Sequence, residues 1–259
     1  MADGFDIMKA FRETSIRDKM PPCVANMLDL WHSLCDEHLD FSIEVMLADR
    51  HECREFKNFK GELNIAFPKN VDGKLRLIVY VESISSVTPI ILTHELGHWI
   101  VKFQGFEGVI FRDAKHSNNE IMLNSLSHHR AIYSLQITYG IDPQAEIDAR
   151  AEHDITLFRG DSEPANPDLQ LSNALLIADD RLSCSSDKDA KLTTILAEYH
   201  PKTATFVDTI LDTASHYDFN NPDKTKRFER MIIKKLRLSK DWYFPDEVGN
   251  LKTMHKINA

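Results

Sequence analysis

The sequence predicts an α+β protein, in which a small, mainly antiparallel sheet is followed by helices and the C-terminal region is mostly helical. Apolar residues alternate with polar ones in three short runs between residues 41 and 81. From about residue 88 onward, apolar residues instead recur at helical spacing. Of the 259 residues, 42% are hydrophobic, which is enough to bury a core.

The first 40 residues are predicted to be helical. After Pro21 and Pro22, one apolar stripe follows the period of an α-helix. A stripe of this kind packs against a core, so this helix is interpreted as structural. Its members are Val24, Met27, Leu28, Trp31, Leu34 and Cys35.

Three runs with the alternation of a strand come next. They cover residues 41–47, 63–67 and 75–81. Between the last two, Asp72-Gly73 is a signal for a tight hairpin turn. These patterns predict at least three strands. Their apolar faces are formed by Phe41, Ile43, Val45, Leu47, Leu63, Ile65, Phe67, Leu75, Leu77, Val79 and Val81.

Two helices are predicted after the sheet. The first spans about residues 88–103, because Pro89 suits a first helical turn and Gly105 suits a stop. The second spans about residues 117–139 and ends at Gly140. Helical patterns continue beyond it, so these two helices begin the helical part of the chain.

A break between two domains is predicted at residues 159–168. This segment, RGDSEPANPD, contains two prolines and many turn formers. We therefore expect a first domain over residues 1–158, with N-terminal helices, the sheet and the helices that follow it. A helical C-terminal subdomain is expected over residues 169–259.

Composition and charge exclude several classes of protein. The net charge of −9 repels phosphates and disfavours nucleic acid as a partner. The four dispersed cysteines lack the spacing of a zinc knuckle or redox motif and fit free thiols. No run approaches the roughly 20 apolar residues of a membrane span, and the N-terminus lacks the apolar core of a secretory signal. We therefore expect a cytoplasmic protein without membrane contact.

One region carries a local excess of positive charge in this acidic chain. Residues 224–240 contain eight cations. Two interpretations stay open: the cations form the solvated face of a core-packing helix, or they contact an acidic partner or nucleic acid, of which a protein partner is favoured. The cations are Lys224, Lys226, Arg227, Arg230, Lys234, Lys235, Arg237 and Lys240.

The most informative segment is His94-Glu95-Leu96-Gly97-His98, within the first predicted helix. Residues four apart on a helix differ by about 40° and one turn, so both imidazoles can reach one ion. Glu95 lies about 60° from His98 on the same flank, where it can face a water molecule without binding the metal. The apolar residues around the motif bury this helix, and burial of three unpaired polar groups would be costly without a metal.

This pattern predicts a zinc site with hydrolytic chemistry. Zinc binds imidazole nitrogens at about 2.0–2.1 Å; it lowers the pKa of bound water to about 7 and polarises a carbonyl. Glu95 would act as the general base that takes the proton of the water and delivers it to a leaving amine. The alternative is a core helix with two solvent-facing histidines.

The segment Thr93-His-Glu-Leu-Gly-His-Trp99 resembles the active-site helix of the zincin metallopeptidases. The order of short strands before this helix is also similar to that family. The resemblance covers about residues 40–140 and is specific at the motif. It implies a zinc-dependent peptidase that acts on a peptide or protein substrate.

The resemblance also implies a third zinc ligand downstream. Metzincins place a further His shortly after the motif, but Val101 stands three positions after His98 and the next His is His116, so this branch is disfavoured. Gluzincins use a Glu on the following helix, and Glu120 lies on the second predicted helix. Glu120 and Asn124 resemble the gluzincin Glu-x-x-x-Asp pattern, with Asn in place of the Asp that supports a ligating His.

Alternatives to Glu120 stay open. Ser117-Asn-Asn-Glu120 is also a capping-box pattern, in which the Glu stabilises the start of a helix. The rival third ligands are His116, His128, His129 and Asp113. The candidates for steadying the oxyanion of a transition state are His128, His129, Tyr133 and His153, and each can equally be a satisfied core or surface side chain.

Two further functions stay open besides a general peptidase. One minimal bacterial group of zincins contains regulators of the DNA-damage response and repressor-cleaving proteases, often without general peptidase activity. In a protein of this type the helical C-terminal region would bind a protein partner. The other alternative is a scaffold in which zinc is structural or absent, and four protein ligands without an open position would mark it.

Overall fold

The computed structural model describes residues 10–53, 64–113 and 116–258. Within these ranges the chain forms ten α-helices and six β-strands, which confirms the predicted α+β class. Leu63, in the second predicted strand, lies outside the described residues. The strands are β1 (Ala10–Arg12), β2 (Glu44–Asp49), β3 (Ile65–Val71), β4 (Lys74–Val81), β5 (Ile110–Phe111) and β6 (Trp242–Tyr243). The helices are α1 (Glu13–Lys19), α2 (Pro22–His38), α3 (Pro89–Phe103), α4 (Ser117–Thr138), α5 (Gln144–Gly160), α6 (Pro167–Ser183), α7 (Ser186–Tyr199), α8 (Pro201–Ala214), α9 (Pro222–Leu236) and α10 (Glu247–Asn258).

The two helices after the sheet have the predicted boundaries. Thr88 caps α3, because its Oγ1 accepts a hydrogen bond from the N–H of Ile91 at 3.2 Å, and Pro89 occupies the first helical position. Beyond the ends of α3 and α4, Gly105 has a φ of +95° and Gly140 a φ of +81°. Glycine adopts this left-handed conformation without a Cβ penalty, so local chemistry ends both helices.

The chain divides into two compact units with interleaved segments. Unit 1 comprises Met1–Gln104, Leu135–Ile141 and Asp246–Ala259, and unit 2 comprises Gly105–Ser134 and Asp142–Pro245. The predicted domain boundary at residues 159–168 stays a prediction, and that segment links α5 to α6 within unit 2. Helix α4 is continuous, and its last turn belongs to unit 1.

Unit 1 contains a four-stranded sheet with the order β1-β2-β4-β3. The β1–β2 and β3–β4 pairs are antiparallel and the β2–β4 pair is parallel, so the mainly antiparallel sheet is confirmed with one parallel pair. The β3–β4 hairpin turns at Asp72 and Gly73, whose φ values of +53° and +73° define a two-residue turn matched to strand twist. Strand β1 lies in the region predicted to be helical. Three residues carry no detectable period, and pairing with β2 makes them a strand.

Helices α2 and α3 share an apolar core with the sheet of unit 1. The buried indole of Trp31 donates from Nε1 to the carbonyl oxygen of Ile43 at 2.9 Å. The indole of Trp99 donates from Nε1 to the carbonyl oxygen of Ala66 at 3.0 Å. A buried indole N–H needs such a partner, so the two bonds hold α2 beside the start of β2 and α3 beside β3.

A buried ionic cluster joins α1, α2 and β2. Glu13 is 7% exposed and accepts hydrogen bonds from Nε2 of His32 at 2.8 Å, Nε of Arg17 at 2.9 Å and the N–H of Val45 at 3.1 Å. Burial by itself raises the pKa of Glu13, but the bonds from His32, Val45 and Arg17 outweigh it and hold the pKa below its usual value. The hydrogen bond to Glu13 raises the pKa of His32. Each partner therefore stabilises the charged form of the other.

The substitution Glu13→Gln is expected to lower the free energy of unfolding by about 1–3 kcal/mol, because buried donors lose a charged acceptor. The contribution of Glu13 is lost as pH falls through its lowered folded pKa, and that of His32 is lost as pH rises through its raised one. The difference from wild type should therefore be largest between about pH 4.5 and 6.5 and should shrink on both sides. Urea unfolding at several pH values measures it, and a pH-independent difference would contradict the charged pair.

Unit 2 is built from α5–α9 and most of α4 around a second apolar core. Strands β5 and β6 form a short antiparallel ribbon, with Ile110 opposite Tyr243 and Phe111 opposite Trp242. In the part of the chain that the structure describes, none of the helices combines the length and hydropathy needed to cross a bilayer.

Candidate metal centre

The two motif histidines lie on one face of α3. The ring centroids of His94 and His98 are 5.0 Å apart, and the ring planes meet at 83°. Both residues are half-buried, whereas Leu92, Leu96 and Ile100 are fully buried in the core of unit 1. The apolar residues therefore fix the helix, and the imidazoles occupy neighbouring turns of another face.

A buried glutamine on the last turn of α4 binds α3. Nε2 of Gln136 donates to Oγ1 of Thr93 at 2.9 Å and to the carbonyl oxygen of Ile90 at 3.0 Å. Thr93 directly precedes His94, and these residues all belong to unit 1. His129 precedes Gln136 by about two turns, which places it on the same face of the same helix.

His129 joins the motif histidines. The candidate ligand nitrogens of His94, His98 and His129 all lie within 4.8 Å of one another. Among the described His, Cys, Asp and Glu residues, this is the group whose side chains converge closely enough to hold a metal ion. The helix pair α3 and α4 carries the whole group.

This donor set fits zinc. Three nitrogens at about 2.0–2.1 Å from one zinc ion would lie roughly 3.3 Å apart in a tetrahedron. Small side-chain rotations close the gap from separations within 4.8 Å. Three protein ligands with a fourth position for water or substrate is the ligand count of a catalytic zinc site.

A buried carboxylate orients His129. Nδ1 of His129 lies 2.6 Å from Oδ2 of Asp179, a residue of α6 that is 2% exposed. The carboxylate favours the tautomer with its proton on Nδ1, and Nε2 is then the nitrogen suited to a metal. A carboxylate behind a ligating imidazole is the common outer support of zinc sites.

Asp179 belongs to a larger buried network in unit 2. Arg150, on α5, donates from Nη2 to Asp179 at 3.1 Å and from Nε to Asp180. Burial and a hydrogen bond to Asp180 raise the pKa of Asp154, so Asp154 is the member of that pair that holds a proton. Burial also raises the pKa of Asp180, whereas the charge of Arg150 lowers it, so the guanidinium is the cation that offsets the negative charge of this buried network.

Glu95 lies next to His94 and is 8% exposed. Burial raises its pKa to about 8. A nearby divalent cation favours the charged carboxylate and opposes this shift. Glu95 thus combines adjacency to the proposed ligands with shielding from bulk water, two properties of a general base. Its catalytic role stays a prediction.

Glu120 and Asn124 bind the backbone of the segment before α4. Oε2 of Glu120 accepts a hydrogen bond from the N–H of Phe111 at 2.6 Å. The Asn124 carboxamide accepts from the N–H of Val109 at 2.8 Å and donates to the carbonyl oxygen of Val109 at 2.9 Å. At Gly108, an added Cβ would meet this carboxamide at 3.0 Å, so a side chain there would require the carboxamide to shift by a few tenths of an ångström. The residues predicted as ligand and support therefore hold residues 109–111 against α4.

Helix geometry separates Glu120 from His129. Glu120 is not in the group of three imidazoles. Nine residues along a helix correspond to about 13 Å of rise and about 180° of rotation. One ion cannot bind both side chains. The structure brings His129, a rival ligand in the sequence analysis, to the motif histidines.

Tyr133 lies one turn after His129 on the same face of α4. Its hydroxyl accepts a hydrogen bond from Nη1 of Arg150 at 3.0 Å. Burial raises the pKa of Tyr133, so the phenol keeps its proton and can donate it in a hydrogen bond. The position suits the predicted role in steadying an oxyanion, which stays a prediction.

The other predicted candidates lie elsewhere. His128 is buried, but it is rotated by about 100° from His129 on α4. Nδ1 of His116 lies 3.7 Å from the carboxylate of Asp168. Asp113 and His153 are exposed. None of these four is in the group that could hold a metal among the described residues.

Asp179 and Arg150 are not among the site residues predicted from the sequence. A signal for them exists, because Asp179 and Asp180 interrupt an apolar stretch of α6 that includes Leu175 and Ile177. Buried carboxylates need partners, so this pair indicates a cation or a histidine nearby. The pattern does not tell which side chain of another helix supplies it.

The substitution Glu120→Ala is expected to retain zinc and to lower the free energy of unfolding by about 1–3 kcal/mol, because the N–H of Phe111 loses a charged acceptor. Metal analysis and denaturant unfolding of the same preparation measure both effects. Loss of zinc from a variant that still unfolds cooperatively would restore Glu120 as the third ligand.

Comparisons of this chain with models of known protein families, with curated proteins and with solved structures find no match. The resemblance to the zincin active-site helix therefore rests on the motif itself.

Proposed function

We propose that the protein is a zinc-dependent peptidase whose metal is bound by His94, His98 and His129. The observation that carries this proposal is the convergence of three imidazoles within 4.8 Å, with the third ring held by the buried Asp179. Imidazoles this close repel one another when protonated, whereas a shared cation stabilises all three. Nitrogen ligands in this number and an open fourth position favour zinc.

Each side chain of the site would have a separate role in hydrolysis. Zinc, when bound, would polarise a carbonyl and activate water. Glu95 would accept the proton of the attacking water and pass it to the leaving amine. Tyr133 would donate a hydrogen bond to the oxyanion that forms at the carbonyl. No side-chain nucleophile is required, because water attacks directly.

We propose a zincin-like site with His129 in the place that gluzincins give to a glutamate. The His94–His98 spacing and the sheet before α3 support the relation to zincins. The substrate is then a peptide or a protein. A cytoplasmic location is part of the proposal, and it is supported by Cys23, Cys35, Cys53 and Cys184, which are free thiols.

Metal analysis together with a diverse peptide library tests this function. We expect about one zinc ion per chain, as for a mononuclear site. Cleavage of library peptides should stop with a zinc chelator and return when zinc is added. Cleavage that persists without metal, or purified protein that does not bind added zinc, would contradict the proposal.

A regulatory, partner-binding protein is the second candidate. On α9, Phe228 and Ile232 are buried in the core of unit 2, while Arg227, Arg230 and Lys234 are exposed. This basic face offers a surface for an acidic partner protein. Tight zinc binding without cleavage of any library peptide would favour this candidate.

A further inference from the structure

Arg150 bonds to side chains of two other helices. From α5 its guanidinium donates from Nη1 to the hydroxyl of Tyr133 at 3.0 Å and from Nη2 to Oδ2 of Asp179 at 3.1 Å. Its Nε donates to Oδ1 of Asp180. Tyr133 lies on α4, and the two aspartates lie on α6. All four residues belong to unit 2.

The oxygen that Arg150 binds on Asp179 is the oxygen that orients His129. Oδ2 of Asp179 forms hydrogen bonds with both Nη2 of Arg150 and Nδ1 of His129, and the second of these measures 2.6 Å. A guanidinium is planar and presents its donors in a fixed fork. Because Nε is bound to Asp180, rotation of the fork is restricted, and the carboxylate of Asp179 is restricted with it.

The same guanidinium also sets the direction of the Tyr133 hydroxyl. When this oxygen accepts a hydrogen bond from Nη1, its own proton must point away from Arg150. Tyr133 and His129 share one face of α4. A single cation therefore constrains both a proposed metal ligand and a proposed oxyanion donor.

We propose that Arg150 is a positioning residue of the metal centre, which acts on His129 through Asp179 and on the phenol of Tyr133 directly. This inference rests on the proposed function. A competing account treats Arg150 as an ordinary ion pair that ties α5 to α6 and does nothing at the metal. The two accounts differ in what happens to metal binding when the fork is removed.

Three variants separate these accounts. Arg150→Met removes the fork and keeps much of the side-chain volume. Arg150→Lys keeps the charge but has no planar fork. Arg181→Met is the matched control. Arg181 follows Asp180 in the chain, is also partly buried, and donates from Nε to the carboxylate of Asp189 at 2.6 Å.

Zinc affinity, measured by competition with a chromophoric chelator, is expected to fall by roughly 10-fold to 100-fold in Arg150→Met, as for loss of other supports behind metal ligands. Arg150→Lys should lie between this variant and wild type, and Arg181→Met should bind as wild type does. The visible spectrum of the cobalt-substituted protein should change in the two Arg150 variants and not in the control, because it reports ligand geometry.

If both Arg150 variants bound zinc as tightly as wild type and kept its cobalt spectrum, this inference would be overturned and the proposed function would be left intact. A wild-type protein that binds neither zinc nor cobalt would overturn the proposed function. If Arg150→Met does not fold, Arg150→Lys decides the question, since it keeps the charge that the two aspartates require.

Discussion

The substitution Glu95→Gln is expected to abolish hydrolysis and to leave zinc in place. Glutamine has almost the same shape but cannot accept the proton of the attacking water, and general base catalysis contributes about 10²- to 10⁴-fold to rate. The three imidazoles are untouched, so zinc content should equal that of wild type. The measurement is the cleavage rate of a peptide selected from the library, with metal analysis of the same sample.

Glu229 provides a matched control for this variant. It is also a buried glutamate, and burial raises its pKa to about 8, the same value as for Glu95. It lies on α9 and accepts a hydrogen bond from Ser127 at 2.6 Å. Glu229→Gln should therefore cleave the peptide as wild type does. Full activity in Glu95→Gln would exclude Glu95 as the base.

The substitution His129→Ala should remove zinc from the protein. Loss of an outer support costs roughly 10-fold to 100-fold in affinity, and loss of a direct ligand should exceed this range. Two imidazoles remain in the variant, so it should bind zinc weakly and lose the metal on dialysis against a mild chelator. Zinc content before and after dialysis measures the effect.

His128→Ala is the control, because His128 is the neighbouring buried histidine on α4. It should keep zinc, and thermal unfolding of the metal-free proteins shows whether either substitution disturbs the fold. If His129→Ala retained one zinc through dialysis while His128→Ala lost it, the choice of third ligand would be wrong by one residue.

The local parts of this structure can be predicted from sequence. Thr88 and Pro89 begin α3, Gly105 follows its end, and each acts through its own backbone chemistry. The turn at Asp72-Gly73 is set in the same way. The pairing of His94 with His98 needs only the period of a helix, which is why the motif predicts the first half of the site.

The rest of the site depends on contacts between different helices, which the spacing of residues along one helix cannot predict. Asp179 lies 50 residues after His129, and the bond between them exists because α6 packs beside α4. His128 and His129 are adjacent in sequence but point about 100° apart, so the choice between them needs the orientation of α4. Gln136 reveals that orientation through its bonds to α3.

The gluzincin-like pattern at Glu120 and Asn124 shows how one spacing serves two purposes. Residues four apart face the same way whatever they bind. In this chain they bind alternate residues of an extended segment, since Val109 and Phe111 are two apart. The pattern predicts a shared face correctly, and the partner on that face is peptide backbone.

A crystal of the protein soaked in zinc, with data collected at the zinc absorption edge, tests the central claim most directly. The account predicts one anomalous peak at about 2.0–2.1 Å from a nitrogen of each of His94, His98 and His129, with the fourth position held by a water. A peak coordinated by Glu120 in place of His129, or no peak at the motif histidines, would contradict it.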